Sequence, residues 1–235
     1  MKLNPSQIHH LYTFTRQHYV EYYDLQTELV DHLANAIEAE WEQNPQLSFD
    51  EALNKEYRKF GVFGFMDVVE KRQIALSKKY KLLVWKHFKE FFTVPKIIVT
   101  GSLIAGLFLI LRIAYWCYFF PVAMLFLFIV ILPFAFFTNK KIKKHQRTTG
   151  KVWLFEKTII NFGNTPSLFL LPLHFFNLIN PIIIKDFNSS STTFLFCISS
   201  LTVSIYLVAY IIIIVIPQRA EEYLKQTYPE YEFTN

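Results

Sequence analysis

Hydrophobic residues near the start of the chain recur at helical spacing. The apolar stripe consists of Leu25, Leu29, Leu33, Ile37 and Trp41. A helix turns once every 3.6 residues, so side chains four apart line one face and have to be buried against other elements. The pattern therefore predicts an amphipathic helix over 24–43.

Capping signals predict three further helices around this one. The first runs over 5–18 and is opened by Asn4, a good N-cap that is followed by a proline. Another begins at Ser48, which forms a capping box with the glutamate three residues later, and it stops at Gly61. A fourth apolar pattern covers 64–92. These signals indicate a small all-helical domain.

The second half of the fourth helix mixes lysines with aromatic residues. The aromatic positions are Tyr80, Trp85, Phe88 and Phe91. Aromatic side chains among lysines are typical of a helix that lies at a membrane surface. We therefore assign residues 1–76 to a cytoplasmic helical domain and residues 77–96 to an interfacial linker helix.

Four later segments are apolar enough to cross a bilayer, which needs about 20 residues as a helix. They cover about 97–116, 119–137, 159–184 and 194–216. The third contains three prolines, which favours a kinked or partly re-entrant path. The predicted fold class is all-α: a small cytoplasmic helical domain, a four-helix transmembrane bundle over 97–216, and a tail over 217–235.

Charge orients these spans. Residues 1–70 carry 5 basic and 12 acidic side chains, whereas 71–96 carry 8 basic and 1 acidic, and the predicted loop 139–158 carries 7 basic and 1 acidic. Basic flanks stay on the cytoplasmic side, so both termini are predicted to be inside a multi-pass protein of the cytoplasmic (inner) membrane. The lysines are then partners of membrane lipids. The acidic N-terminal domain argues against direct nucleic-acid binding.

Composition changes the functional picture mainly by exclusion. Hydrophobic residues make up 52% of the chain, and the long apolar blocks exclude a soluble globular enzyme. The sequence contains no nucleophile elbow, phosphate-binding loop or dinucleotide fingerprint, and it has only 6 glycines. We therefore expect a protein that is not an enzyme and binds no cofactor.

One polar constellation lies on the second helix. Glu28, Asp31 and His32 form an E-x-x-D-H pattern, and the first and last of them share a face. One interpretation is a metal site or an acid–base pair. The other is a solvated face that contacts a partner, and we favour it because a zincin needs a second histidine four residues from His32. We expect no metal.

A second polar constellation lies within the third predicted span. It consists of Asn161, Asn164, His174 and Asn177. Polar groups are costly in lipid, so this intramembrane face is expected to point inward or toward another protein. A ligand or ion pocket and hydrogen bonding between helices both fit, and we favour the second.

The segment from Tyr22 to Gly61 carries a resemblance to a known family. It reads YYDLQTELVDHLANAIEAEWEQNPQLSFDEALNKEYRKFG, with an E-L-x-D-H-L core, an N-P turn and an S-F-x-E-A-L helix start. It resembles the HAAS-type, permease-prefix-like helical domain. The resemblance implies a cytoplasmic domain ahead of membrane helices that works with PadR-like winged-helix transcription regulators.

Two functions follow as hypotheses. In the first, the helical domain binds a cytosolic protein partner through exposed polar residues of its second helix, namely Glu28, Asp31, His32, Glu38 and Glu42. In the second, the chain is an accessory subunit of a larger inner-membrane transport or secretion complex.

Overall fold

The computed structural model describes residues 2–113, 133–134, 136–163 and 192–228. Every regular element among them is a helix, which confirms the all-helical fold class. Four helices make up the first part of the chain, and they are α1 (Pro5–Gln17), α2 (Tyr23–Gln43), α3 (Phe49–Arg58) and α4 (Met66–Glu90). The later helices are α5 (Lys96–Ile113), α6 (136–149), α7 (Leu154–Gly163), α8 (Thr192–Gln218) and α9 (Ala220–Thr227).

The helix ends of the first part follow from local chemistry. The side chain of Asn4 accepts the Gln7 amide at 2.9 Å, and the Gln7 side chain accepts the Asn4 amide in return. Ser48 and Glu51 make the same reciprocal pair at the start of α3. After α3 the chain turns at Gly61, whose φ of +79° favours glycine.

The chain divides into two compact units. Of the described residues, the first contains 2–78, the segment Gln146–Thr158 and residues 227–228. Its core includes the α2 stripe, and a second cluster of rings joins Phe14 of α1 and His18, which follows α1, to Tyr57 and Phe65. The second unit contains the described residues within 79–145 and 159–226, among which α5 packs against α8.

Only α8, of the helices in the described residues, is long and apolar enough to cross a membrane. It has 27 residues and a mean hydropathy of 2.4 in its most apolar stretch. This helix supports association with a membrane. It contains the predicted span 194–216, and α5 contains most of the predicted span 97–116, whereas most of 119–137 and of 159–184 lies outside the described residues.

Two expectations from the sequence are corrected. The stretch 139–158, predicted as a loop, is helical through residue 149 because nothing before Gly150 breaks the helix, and Gly150 ends it with a φ of +65°. Tyr80, grouped above with the interfacial aromatic residues, is fully buried. It stacks on Phe162 with ring centroids 4.3 Å apart, and its hydroxyl donates to the Ile212 carbonyl at 3.4 Å.

Candidate functional site: a polar face on α2 and a clasp at its start

After its first four residues, helix α2 buries its apolar stripe and turns a set of polar side chains toward solvent. The stripe that begins at Leu25 and ends at Trp41 is buried, and Leu33 and Ile37 are completely inaccessible. Burying a leucine or isoleucine contributes about 1.5–3 kcal/mol. This burial fixes which way the rest of the helix faces, so Asp31, His32 and Glu42 are held toward solvent, whereas Asp24 and Gln26 at the start of the helix are buried.

The predicted partner-binding residues divide into two groups on this helix. Asp31, His32 and Glu42 are exposed, and within the described part of the chain neither Asp31 nor Glu42 forms an ion pair. Glu38 is half-buried because its carboxylate accepts the Leu3 amide at 2.9 Å. Glu28 is exposed but forms an ion pair with Arg72 of α4. The three residues of the first group therefore form the open polar face.

The same contacts bear on the acid–base interpretation of Glu28 and His32. Glu28 is paired with Arg72, and the His32 ring packs edge-on against Phe60 with centroids 5.9 Å apart. Each side chain is thus engaged with a different neighbour. Among the residues whose positions are described, no three histidine, cysteine or acidic side chains come together in a group that could hold a metal ion.

The start of α2 is clasped by a distant segment, 151–154. The Tyr23 amide donates to the Val152 carbonyl at 2.8 Å, and the Leu154 amide donates to Asp24 Oδ1 at 3.2 Å. Both amides belong to first turns of helices, where backbone donors lack a partner within their own helix. The first amide of α2 therefore finds its acceptor in segment 151–154, and the first amide of α7 finds its acceptor in α2.

Aromatic rings pack around the contact between segment 151–154 and the start of α2. Trp153 is fully buried, and its ring lies 5.4 Å from Tyr23 and 5.5 Å from Tyr228 between centroids. Lys151 Nζ sits 3.9 Å from the centroid of the Tyr23 ring, which is cation–π geometry. Segment 151–154, which was predicted to be part of a basic loop, therefore contributes to the core of the first unit.

Asp24 is the electrostatic centre of the clasp. Its burial raises the pKa of the carboxyl group, while the nearby Tyr228 hydroxyl and the Leu154 amide act in the opposite direction. Burial also raises the pKa of Tyr228, and the Asp24 charge adds to that effect. This site was not predicted from the sequence, where its local signal is the apolar run Val152–Phe155 within a lysine-rich stretch.

A second buried polar group lies in the second unit. His87, only 2% exposed, has its Nε2 at 2.6 Å from the Tyr223 hydroxyl of α9 and its Nδ1 at 3.1 Å from Glu90 Oε1. Burial alone would raise the pKa of Glu90, but His87 and Lys96 beside it hold that pKa below its usual value. The arrangement attaches helix α9 to α4.

The intramembrane polar face is described only at one position. Asn161 lies on α7 and is exposed. Asn164, His174 and Asn177 lie outside the described residues.

No protein family matches this sequence, and neither a curated protein nor a solved structure matches it.

Proposed function

We propose that this chain is a non-enzymatic inner-membrane protein whose N-terminal helical unit binds a protein partner through α2. The observation that carries the proposal is the open polar face of α2, Asp31, His32 and Glu42, which is held toward solvent by the buried stripe opposite. Exposed acidic side chains on a rigid helix provide directional contacts for a basic surface and add to its rate of association.

The membrane part of the proposal is a four-span bundle with both termini in the cytoplasm. The apolar helices α5 and α8, which pack together, and the basic composition of 71–96 and 139–158 support it. Cysteines introduced at Asn54 and Lys143, each in a Cys117→Ser, Cys197→Ser background, test the orientation. Both should react with a membrane-impermeant maleimide only after cells are permeabilised, and labelling of intact cells would contradict the topology.

The partner that we propose is a PadR-like winged-helix regulator. The HAAS-like sequence from Tyr22 to Gly61 supports this choice, because that segment contains α2 and α3 and includes the open face. A DNA-binding regulator has a basic surface, which complements the acidic side chains that α2 presents. Binding at the membrane would hold the regulator away from DNA.

Pull-down of the full chain from mild detergent tests the partner. The Asp31→Lys, Glu42→Lys variant should lose the regulator from the eluate, whereas Glu21→Lys, Glu70→Lys makes the same charge change at exposed positions elsewhere and should keep it. Equal recovery with both variants would contradict the α2 interface. Integral membrane proteins in fixed ratio, without a regulator, would support the accessory-subunit function instead.

A further inference from the structure

The part of α4 that belongs to the second unit has an unusual division of its side chains. Its inward positions are Tyr80 and His87, which are 0% and 2% exposed. Its outward positions include Leu82 and Trp85, which are 60% and 54% exposed. Large apolar side chains thus lie on the face that α4 does not pack against protein.

Lysines alternate with these apolar residues along the outward face. Lys81, Trp85 and Lys89 are spaced by four, so they share one side of the helix. Lys89 Nζ lies 5.4 Å from the centroid of the Trp85 ring, and that ring stacks on Phe88 at 5.6 Å. We refer to Lys81, Leu82, Trp85, Lys86 and Lys89 as the outward face of α4.

The outward face has no acidic counterpart. Between Lys71 and Lys89 the sequence contains no aspartate or glutamate. Glu90, the next carboxylate, is engaged by His87 and Lys96. In the described residues no carboxylate pairs with Lys81, Lys86 or Lys89, so their charges are available to an external anion.

We infer that the outward face of α4 binds the anionic headgroup layer of a phospholipid bilayer. The lysine ammonium groups contact lipid phosphates, while Leu82 and Trp85 enter the boundary between headgroups and acyl chains. This mixture of cations with tryptophan and leucine suits an anionic membrane surface, where the phosphate layer lies outside the apolar acyl chains. Along the chain, the apolar helix α5 begins at Lys96, seven residues after Lys89.

An acidic protein could also pair with the lysines, but its carboxylates alone would not explain the exposed leucine and tryptophan between them. A bilayer is expected near this face, because α8 in the same chain is apolar enough to cross one. Lipid is therefore the occupant that the combination of charge, exposed apolar area and membrane-crossing helix favours.

Spin labelling of the full chain in nanodiscs tests the assignment. A label is placed at position 82 through Leu82→Cys in the Cys117→Ser, Cys197→Ser background, with a matched label through Asn54→Cys on the exposed side of α3. In discs that contain phosphatidylglycerol, the label at position 82 should be relaxed by oxygen and shielded from a water-soluble nickel chelate. The label at position 54 should show the reverse.

Charge reversal provides a second measurement that keeps the native cysteines. The Lys81→Glu, Lys89→Glu variant should lower the ratio of phosphatidylglycerol to phosphatidylcholine that copurifies from an equal mixture, by about fivefold per lysine. The control Lys2→Glu, Arg58→Glu makes the same charge change in the first unit and should leave the ratio unchanged.

Three results would overturn the inference. The first is a label at position 82 that is open to the nickel chelate in every lipid. The second is a label shielded from both reagents, which would place a protein or a second copy on the face. The third is an equal loss of phosphatidylglycerol in the charge-reversal variant and its control.

Discussion

Helices α2 and α4 are both long, yet they present opposite chemistry to their surroundings. After its first four residues, helix α2 buries its leucines and isoleucine and exposes polar side chains such as Asp31 and Glu42. In its second half, helix α4 buries a tyrosine and a histidine and exposes leucine and tryptophan among lysines. The difference teaches that an amphipathic helix is not defined by its hydrophobic residues alone. Whether a face should be apolar or polar depends on whether protein, water or another environment lies against it.

The largest expected difference between the two helices comes from removing a leucine from each. Leu33→Ala should lower the opening free energy of α2 amides by about 2–5 kcal/mol, because Leu33 is completely buried and its loss leaves a cavity. Leu82→Ala should change the opening of α4 by less than about 0.5 kcal/mol in detergent, because its side chain is exposed. Hydrogen exchange followed by mass spectrometry on the full chain reports both values.

The two substitutions also check the assignment of faces. A large effect of Leu82→Ala in detergent would mean that the outward face of α4 packs against protein. A small effect of Leu33→Ala would mean that α2 is not anchored by its stripe. Either result would remove the contrast between the helices.

The next largest effect concerns the clasp at the start of α2. Asp24→Ala should lower the opening free energy of segment 151–154 by about 1–3 kcal/mol, because the buried Leu154 amide loses its acceptor. Asp24→Asn keeps an acceptor oxygen and should cost less. Hydrogen exchange of the 151–154 amides measures both, and Asp31→Asn on the exposed face is the control.

Asp24 also predicts a pH dependence with a definite sign. Because burial raises its pKa, the folded protein holds this proton more tightly than the unfolded chain does. The stability contributed by the group is therefore complete below about pH 4, the usual pKa of an aspartate, and is lost as the pH rises through the raised value. Exchange rates corrected for intrinsic chemistry should show this decline in the unmodified chain and not in Asp24→Asn. An equal decline in both would assign it to another group.

Sequence reasoning located the first three helices well because their signals are local. The capping boxes at Asn4 and Ser48 and the glycine at position 61 act within one helical turn. The clasp was not predicted, since Asp24 and Leu154 are 130 residues apart along the chain. Nothing in a short window indicates that a carboxylate will meet an amide at that distance.

The sequence allowed exposed residues to be distinguished from buried ones only in part, both around the open polar face of α2 and on α4. Asp31 and His32 were expected to be exposed and are. Glu38 was grouped with them, but its contact with Leu3 is made by tertiary folding and leaves no mark in the helix pattern. Tyr80 was grouped with Trp85 because both are aromatic residues among lysines, although they point to opposite sides of one helix.

A smaller effect distinguishes a serine at the start of a helix from a serine inside one. Ser48→Ala removes the N-cap of α3 and should cost about 1 kcal/mol, because the Glu51 amide loses its side-chain acceptor. Ser77→Ala lies inside α4, where alanine is the better helix former, and should be neutral or slightly stabilising. Hydrogen exchange of the first-turn amides of α3 and of the α4 amides around Ser77 separates the cases. Equal costs would show that the capping box at Ser48 is not formed in solution.

The smallest expected effect is the ion pair that joins the two helices, Glu28 with Arg72. Both side chains are about half exposed, so solvent and salt screen the pair and its coupling should be only about 0.2–1 kcal/mol. A double-mutant cycle with Glu28→Gln and Arg72→Gln, read by hydrogen exchange at low and high salt, measures it. A coupling that disappears at high salt leaves Glu28 free to exchange Arg72 for a basic partner, which would extend the polar face by one turn toward the clasp. A coupling that resists salt would instead show that Glu28 serves the fold, and recognition would then rest on Asp31, His32 and Glu42.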